Sequence, residues 1–380
     1  FTFMVNNQLY NSLFACFVIA LALFVVIEKG RLNRIALMAM TIISLVILTG
    51  FRPDILTSSE RLYDFIKDAL RYFTFIALYI VAVDIGRKIE RRKALNFLVL
   101  IILVQVIIDI VLLFAVPARV VHGDMRFSGL YDQIGIYGTF LGGCIAFLLA
   151  CQAERKGLYR SFLFLLVLIL AALLAFNNTR KALVALGVAY AIYLVIDEKK
   201  LSKLVVLFLL SLIVVLVNSG VKERIERVLT STMDPTEIIG SKLDNSFQWR
   251  VGHWYLLVED TLKHRPLFGV GVGQERTVSA GFYSQDGSPF STHSDLVKIL
   301  VESGLFGFFL IVPLVLTLTY RLRKHWSEDG VVKPYLIMVY YLMINGVLGT
   351  VLFTTAFYFF IFLLGVTRLP SAEPRLVESN

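Results

Sequence analysis

Charge is scarce in this chain. Only 17% of its 380 residues are Asp, Glu, Lys or Arg, 57% are apolar, and the mean hydropathy is +0.76. A soluble domain carries roughly a quarter charged residues and about half apolar ones. The shortage excludes an ordinary water-soluble globule and makes bilayer the solvent for most of the chain. Cysteine is nearly absent as well: Cys16, Cys144 and Cys151 all lie in apolar runs, and no C-x-x-C pair occurs. A disulfide framework and a cysteine-based metal centre are both disfavoured. There is no Walker A loop, no H-E-x-x-H, no D-x-D, no tandem repeat and no low-complexity tract. Neither a metal nor a cofactor is expected from these motifs.

What is present is a succession of apolar runs, near 11–27, 35–50, 69–85, 95–116, 134–151, 161–176, 182–196, 204–218, 303–320, 335–350 and 352–366. Alone or with their flanks, they are long enough to cross ~30 Å of hydrocarbon. Lipid offers no hydrogen-bonding partner, so each must be a helix that pairs its own backbone. The expected fold is all-α, a polytopic transmembrane helical bundle of about eleven spans. The chain opens Phe1-Thr2-Phe3-Met4, without initiator Met or signal-peptide pattern, so the reading leaves room for a twelfth span ahead of Phe1. Eight spans fill 1–218, a large partly helical loop 219–293, three more spans 294–370, and a tail 371–380. The tenth and eleventh spans adjoin as a tight hairpin.

Lys and Arg set the orientation. Connections 28–34, 86–93, 152–160, 197–203, 321–334 and 367–380 hold 20 of them, whereas 51–68, 117–133 and 177–181 hold 7. The positive-inside rule makes the first set cytoplasmic. Phe1 and the 219–293 loop then face the opposite side. The same bias accounts for the net charge of +9 without any nucleic-acid partner. Within the loop, 222–229 and 248–263 have helical periodicity, and Pro266 with Gly269-Val270-Gly271-Val272-Gly273 ends the second helix. The stretch 274–291 reads as a mobile Ser/Gly-rich loop. The glycine run lacks the spacing and strand-helix context of a dinucleotide fingerprint.

Basic residues on the outer side have no topological role and need another. Arg119, Arg126, Arg180, Lys181 and Arg250 stand out among them. Guanidinium forks bind anionic phosphate oxygens bidentately, so an interfacial pyrophosphate suits Arg180 and Arg250, with Arg126 a further candidate. Snorkelling or local ion pairing is the competing reading. The acids Asp54, Glu60, Asp64 and Asp68 alternate with Arg52, Arg61 and Lys67, which describes a solvated amphipathic face rather than a metal site. Among five histidines, His253 lies one turn after Arg250, and His293 lies in Ser291-Thr292-His293-Ser294-Asp295 at the start of a span. Thr292 and Asp295 have capping-box spacing, which would put His293 in the first helical turn. A helix N-terminus disfavours imidazolium, leaving the neutral ring a general base requires. A capping or packing histidine is the alternative.

These elements together resemble the bacterial O-antigen ligase/O-antigen polymerase superfamily. Arg126-Phe127-Ser128-Gly129 is similar to its R-x-x-G element, and Thr179-Arg180-Lys181-Ala182 to its S/T-R-x-A turn. Arg250 to Trp254 is similar to R-x-x-x-W, and Pro266 to Gly271 to h-P-h-x-G-x-G. His293 through Gly307 resembles the H-N-x-x-L…E-x-G-h-x-G signature, with Ser294 where Asn is commoner. The resemblance implies a GT-C-like enzyme of the bacterial inner membrane, with its active site facing the periplasm. It implies a metal-independent, inverting transfer of polysaccharide from undecaprenyl pyrophosphate to a hydroxyl of lipid A–core oligosaccharide. His293 would be the base, Arg180 and Arg250 the pyrophosphate ligands, and Arg126 a further substrate contact. A polymerase of the same superfamily and a protein O-oligosaccharyltransferase stand as alternatives. So does a transporter of lipid-linked sugar, which would carry charges at midplane and paired broken helices.

The charge bias generates a direct test. In a cysteine-free background, Ser231→Cys is expected to react with an impermeant thiol reagent in intact, outer-membrane-permeabilised cells, and Lys199→Cys is not. The reverse pattern would invert the topology.

Overall fold

The computed structural model describes residues 8–30, 34–89, 91–115, 119–121, 124–129, 134–153, 155–177, 179–197, 246–280, 291–329, 335–349 and 351, and single positions after 357. The expected span at 204–218, the helix at 222–229 and most of 352–366 lie outside the described residues.

Helices dominate, as the apolar runs require. They are α1 (Gln8–Lys29), α2 (Arg34–Leu48), α3 (Pro53–Leu56), α4 (Ser59–Lys88), α5 (Arg91–Ala115), α6 (Ile134–Ala153), α7 (Gly157–Asn177), α8 (Arg180–Ile192), α9 (Ser246–His264), α10 (Glu275–Ala280), α11 (Asp295–Asp329) and α12 (Leu336–Leu348). Five of the described helices, in α4, α5, α6, α7 and α11, are long and apolar enough to cross a membrane; α2 and α12 are shorter apolar helices. The protein is a multi-pass membrane protein on that ground. One element was not anticipated: an antiparallel pair, β1 (Arg119–Val121) and β2 (Asp124–Arg126), with Arg119 opposite Arg126. Glu275–Ala280 is likewise helical where a loop was expected.

Helix α6 is apolar all round, with no face to give to water, and such a helix belongs at the centre. Accordingly 78% of its apolar stretch is buried inside the protein, against 28% for α5, which turns mostly outward. α6 packs on α7, α8 and α12, forming the main core around Tyr137, Leu141, Phe147, Leu170, Ala185 and Tyr341. α1, α2 and α11 gather round α4 in smaller clusters. At the far end of α8 the chain widens into a π turn, Tyr193–Asp197. Buried Asp197 there accepts from Arg323 Nε and from the Tyr340 hydroxyl, each at 2.9 Å.

Helix α11 is broken at Gly304 (φ 63°, ψ −163°). A break within an apolar span exposes backbone groups that lipid cannot satisfy. The segment after α9 supplies the partners. Pro266 and Leu267 carbonyls accept from Leu305 and Phe306 N–H at 2.8 and 3.0 Å, while Val270 and Gly271 N–H donate to Val301 and Glu302 carbonyls at 2.9 and 2.8 Å. Gly269 and Gly304 face each other at the crossing. A Cβ on Gly304 would lie 2.4 Å from the Leu267 oxygen, and one on Gly269 2.4 Å from the Val301 oxygen. Two segments about thirty residues apart are thus one hydrogen-bonded unit.

Gly304→Ala should therefore destabilise the protein by more than the ~1–2 kcal/mol of a left-handed φ alone, because backbone must also move. Thermal melting of the detergent-purified variant checks this; an unchanged melting temperature would show that the break tolerates a side chain.

Candidate active site

Four stretches converge where α8, α9 and α11 begin and α12 ends. The first is the turn before α8. Buried Asn177 donates from Nδ2 to the carbonyls of Phe127 (2.7 Å) and Ile134 (3.1 Å), and Thr179 Oγ1 donates to Ile134 at 3.3 Å. Gly138 allows this approach, since a Cβ there would meet Thr179 at 2.5 Å. The turn is thereby tied to the chain just after Arg126, and α8 starts at Arg180 with the Thr179 side chain leaving its N-terminus uncapped. The side chains of Arg180 and Arg126 lie outside the described residues.

The second is α9, whose i,i+4 spacing puts working residues side by side. Trp249 stacks on His253, with centroids 5.0 Å apart and planes 12° apart, and meets His293 edge-on at 6.1 Å. Arg250 Nη1 donates to the Leu348 carbonyl at 3.4 Å, capping the end of α12, and Trp254 Nε1 donates to the Thr292 carbonyl. The R-x-x-x-W spacing is what lets one helix face hold both α12 and the His293 turn.

The third is the turn 291–295. His293 is the one non-glycine residue with positive φ (50°) among the described residues. Left-handed backbone costs a histidine energy and persists only where neighbours enforce it. The enforcement comes from both sides. Thr292 Oγ1 donates to Glu275 Oε2 at 2.7 Å, and Glu275 Oε1 pairs with Lys298 at 3.3 Å. Lys298 also binds Asp68 (2.8 Å) and Glu302 (3.0 Å), and Asp68 binds Arg71 (2.9 Å). Two sequence expectations are corrected here. Asp68 is buried and structural rather than on a solvated face, although Asp54 and Asp64 do pair with their basic neighbours. The capping box does not form either: Val297 N–H is accepted by Ser294 Oγ at 3.4 Å, Asp295 Oδ2 accepts from Val351 N–H at 2.8 Å, and Asp295 N–H donates to Gly349 at 3.2 Å. The N-cap is Ser294, so His293 precedes the helix instead of lying in its first turn. Ser and Asn cap comparably, which explains why serine serves where asparagine is common.

The fourth is Lys181, named among the outer basic residues in the sequence but assigned no role there, because its neighbour Arg180 matched the motif. Its ammonium lies against Gly349: a Cβ there would be 2.5 Å from Nζ, and one on Gly135 3.7 Å. Lys181, Arg250 and His293 form a cationic corner. Burial first, then Arg250 beside it, bring Lys181 down to about 8. Burial lowers Arg250 as well. His293 keeps an exposed edge, yet partial burial, then repulsion from Arg250 and Lys181, hold its imidazole at about 4. Burial, with a smaller contribution from His293, keeps buried His253 at about 4 too. Both rings are neutral at physiological pH. Neutrality of His293 was expected, but its main causes are burial and two neighbouring cations. Among the described residues, no group of three or more His, Cys, Asp or Glu side chains could hold a metal ion.

The cap assignment is testable apart from any activity. Ser294→Ala should cost about 1 kcal/mol, while Ser294→Asn should stay within a few tenths. Equal melting temperatures for the wild type and both variants would remove Ser294 from the capping role.

A comparison with curated proteins finds no match. Residues 164–312 match the family model described as O-antigen ligase. The matched stretch contains the α8 turn, all of α9, the His293 turn and the broken part of α11, and over these residues the chain is similar to the O-antigen ligase family.

Proposed function

We propose that this protein is an O-antigen ligase of the bacterial inner membrane, working at the periplasmic face in a GT-C-like bundle. It transfers polysaccharide from undecaprenyl pyrophosphate to a hydroxyl of lipid A–core oligosaccharide. The observation that carries the reading is an exposed neutral imidazole, held in a left-handed turn, beside half-buried cations. That pairing suits a reaction whose leaving group is an anion and whose nucleophile must lose a proton.

The acceptor oxygen attacks the anomeric carbon of the donor sugar, forming the new glycosidic bond with inversion. The bond from that carbon to the pyrophosphate oxygen breaks, and its electron pair leaves with undecaprenyl pyrophosphate. His293 takes the acceptor proton. Arg250 and Arg180 stabilise the charge developing on the leaving phosphate. A pyrophosphate is a good leaving group, so no general acid is required, and cationic side chains take the neutralising role a divalent ion plays elsewhere. An imidazole near 4 is a weak base. The donor corrects this: its negative charge cancels the repulsion from Arg250 and Lys181, one of the causes that depress His293. Base strength thus rises once the donor is seated.

Arg250→Ala and Arg180→Ala should abolish transfer without loss of insertion, and Lys at either place should recover little, since a point charge lacks the fork. His293→Ala should lose about 10²–10⁴-fold in rate with donor binding retained. His293→Asn, which tolerates the left-handed turn, should fold and be inactive. The base works only when neutral, so kcat/KM should be flat at neutral pH and fall as pH drops toward about 4, with the kcat limb displaced upward by the bound donor. A fully active His293→Asn enzyme would end the base assignment. Lipopolysaccharide profiles of a deletion strain separate the two family activities. Loss of all banding with accumulation of lipid-linked polymer marks a ligase, and collapse to core plus one repeat marks a polymerase.

A further inference from the structure

Buried lysines ordinarily have partners, and the contrast within this protein is informative. Lys298 touches three carboxylates. Lys181 has no carboxylate within ion-pair distance among the described residues, and neither has Arg250. Arg250 makes one long bond to the Leu348 carbonyl. The acid that acts electrostatically on Lys181, Asp295, already accepts from Val351 N–H. Among the described residues, two cations therefore share a corner with no carboxylate bound to either, at the uncapped N-terminus of α8. An uncompensated buried charge destabilises a fold, and a protein retains one where a ligand supplies the missing charge. Nζ occupies space that a side chain on Gly349 would close, with Gly135 at ordinary contact distance on the other side.

We propose that Lys181 is a third contact for the donor pyrophosphate, its ammonium binding a phosphate oxygen beside Arg250 in the Gly135–Gly349 slot. The proposal rests on the donor-site reading above and adds a residue to it. A guanidinium fixes one orientation of phosphate, whereas an ammonium on a flexible stem can follow the oxygen as the sugar–phosphate bond lengthens. Three cations also match a two-phosphate group better than two.

The test is binding of undecaprenyl pyrophosphate, without sugar, to the detergent-purified full chain, with undecaprenyl monophosphate as comparator. Lys181→Met should weaken pyrophosphate binding at pH 7 by about tenfold or more. Lys181→Arg should restore most of it. Without ligand, Lys181→Met should melt at a higher temperature than wild type, the opposite of what a structural ion-pair lysine would show. The charged and titratable groups facing Lys181 are Arg250, His293 and Asp295. Lys181 loses its proton at about 8. Wild-type affinity should therefore fall as pH rises above about 8, whereas Lys181→Arg should hold its affinity further. This comparison stands even if Lys181→Met does not fold. Should Lys181→Met bind like wild type while Arg250→Ala does not bind, Lys181 is no contact and the donor site survives. Were both to bind like wild type, the pyrophosphate sits elsewhere and the donor-site reading fails with the proposal.

Discussion

The break at Gly304 governs the organisation of the site. Hydrocarbon cannot hydrogen-bond an opened helix, so α11 can break only where other backbone takes up its loose groups. Residues 266–271 do this, pairing with 301–306 on both sides of the kink. The repair fixes where α9 ends, because the chain must turn at Pro266 to reach α11. With α9 so placed, Trp249, Arg250, His253 and Trp254 arrive at the first residues of α11. Gly273 N–H then donates to Glu302 Oε1 at 2.9 Å, and Glu302 joins the Lys298 cluster that steadies Thr292 through Glu275. Backbone satisfaction in lipid, more than any side chain, sets the position of the histidine.

That dependence explains why short motifs far apart in this sequence belong together. The h-P-h-x-G-x-G stretch and the E-x-G stretch are two halves of one hydrogen-bonded crossing, with Gly269 against Gly304. R-x-x-x-W spans two docking points of one helix, the end of α12 and the carbonyl of Thr292. Asn177 and Thr179 anchor the S/T-R turn to the chain that follows R-x-x-G. Each motif does little alone; as pairs, each satisfies polar groups that would otherwise be stranded.

Much of the fold was legible because lipid is a strict solvent. The observed helices α1, α2, α4 to α8, α11 and α12 overlay apolar runs, and α9 was visible in its 3.6-residue periodicity. What periodicity could not show were the contacts across the chain. Asp68 looked like one more acid in a mixed run, since its partner Lys298 is 230 residues away. Thr292 and Asp295 had the spacing of a capping box, but tertiary partners, Glu275 and Val351, took both side chains. For the site, Arg250 and His293 were identifiable as polar residues without a topological role. Trp249 escaped notice because an aromatic in an amphipathic helix is ordinary, and its stacking with two histidines exists only in three dimensions.

Lys298, buried, and Lys181, half-buried, show how charge separates architecture from chemistry here. Lys298 lies among Asp68, Glu275 and Glu302, with Arg71 on the far side of Asp68. Lys298 there is bound by three carboxylates, and such a cluster can hold a turn in a costly conformation but has no free cation to offer a substrate. Lys181 and Arg250 bind no carboxylate among the described residues, and their field falls on the exposed edge of His293. A divalent cation or an acidic partner would have quieted that corner and freed His293 from the repulsion of its neighbours. Leaving the corner open costs stability, but it reserves the compensation for an anion that arrives from outside. The Lys298 cluster lies one residue from this corner through Thr292, so a saturated network supports an unsaturated one. The rigidity needed to hold bare cations beside an imidazole comes from charges that are already spent.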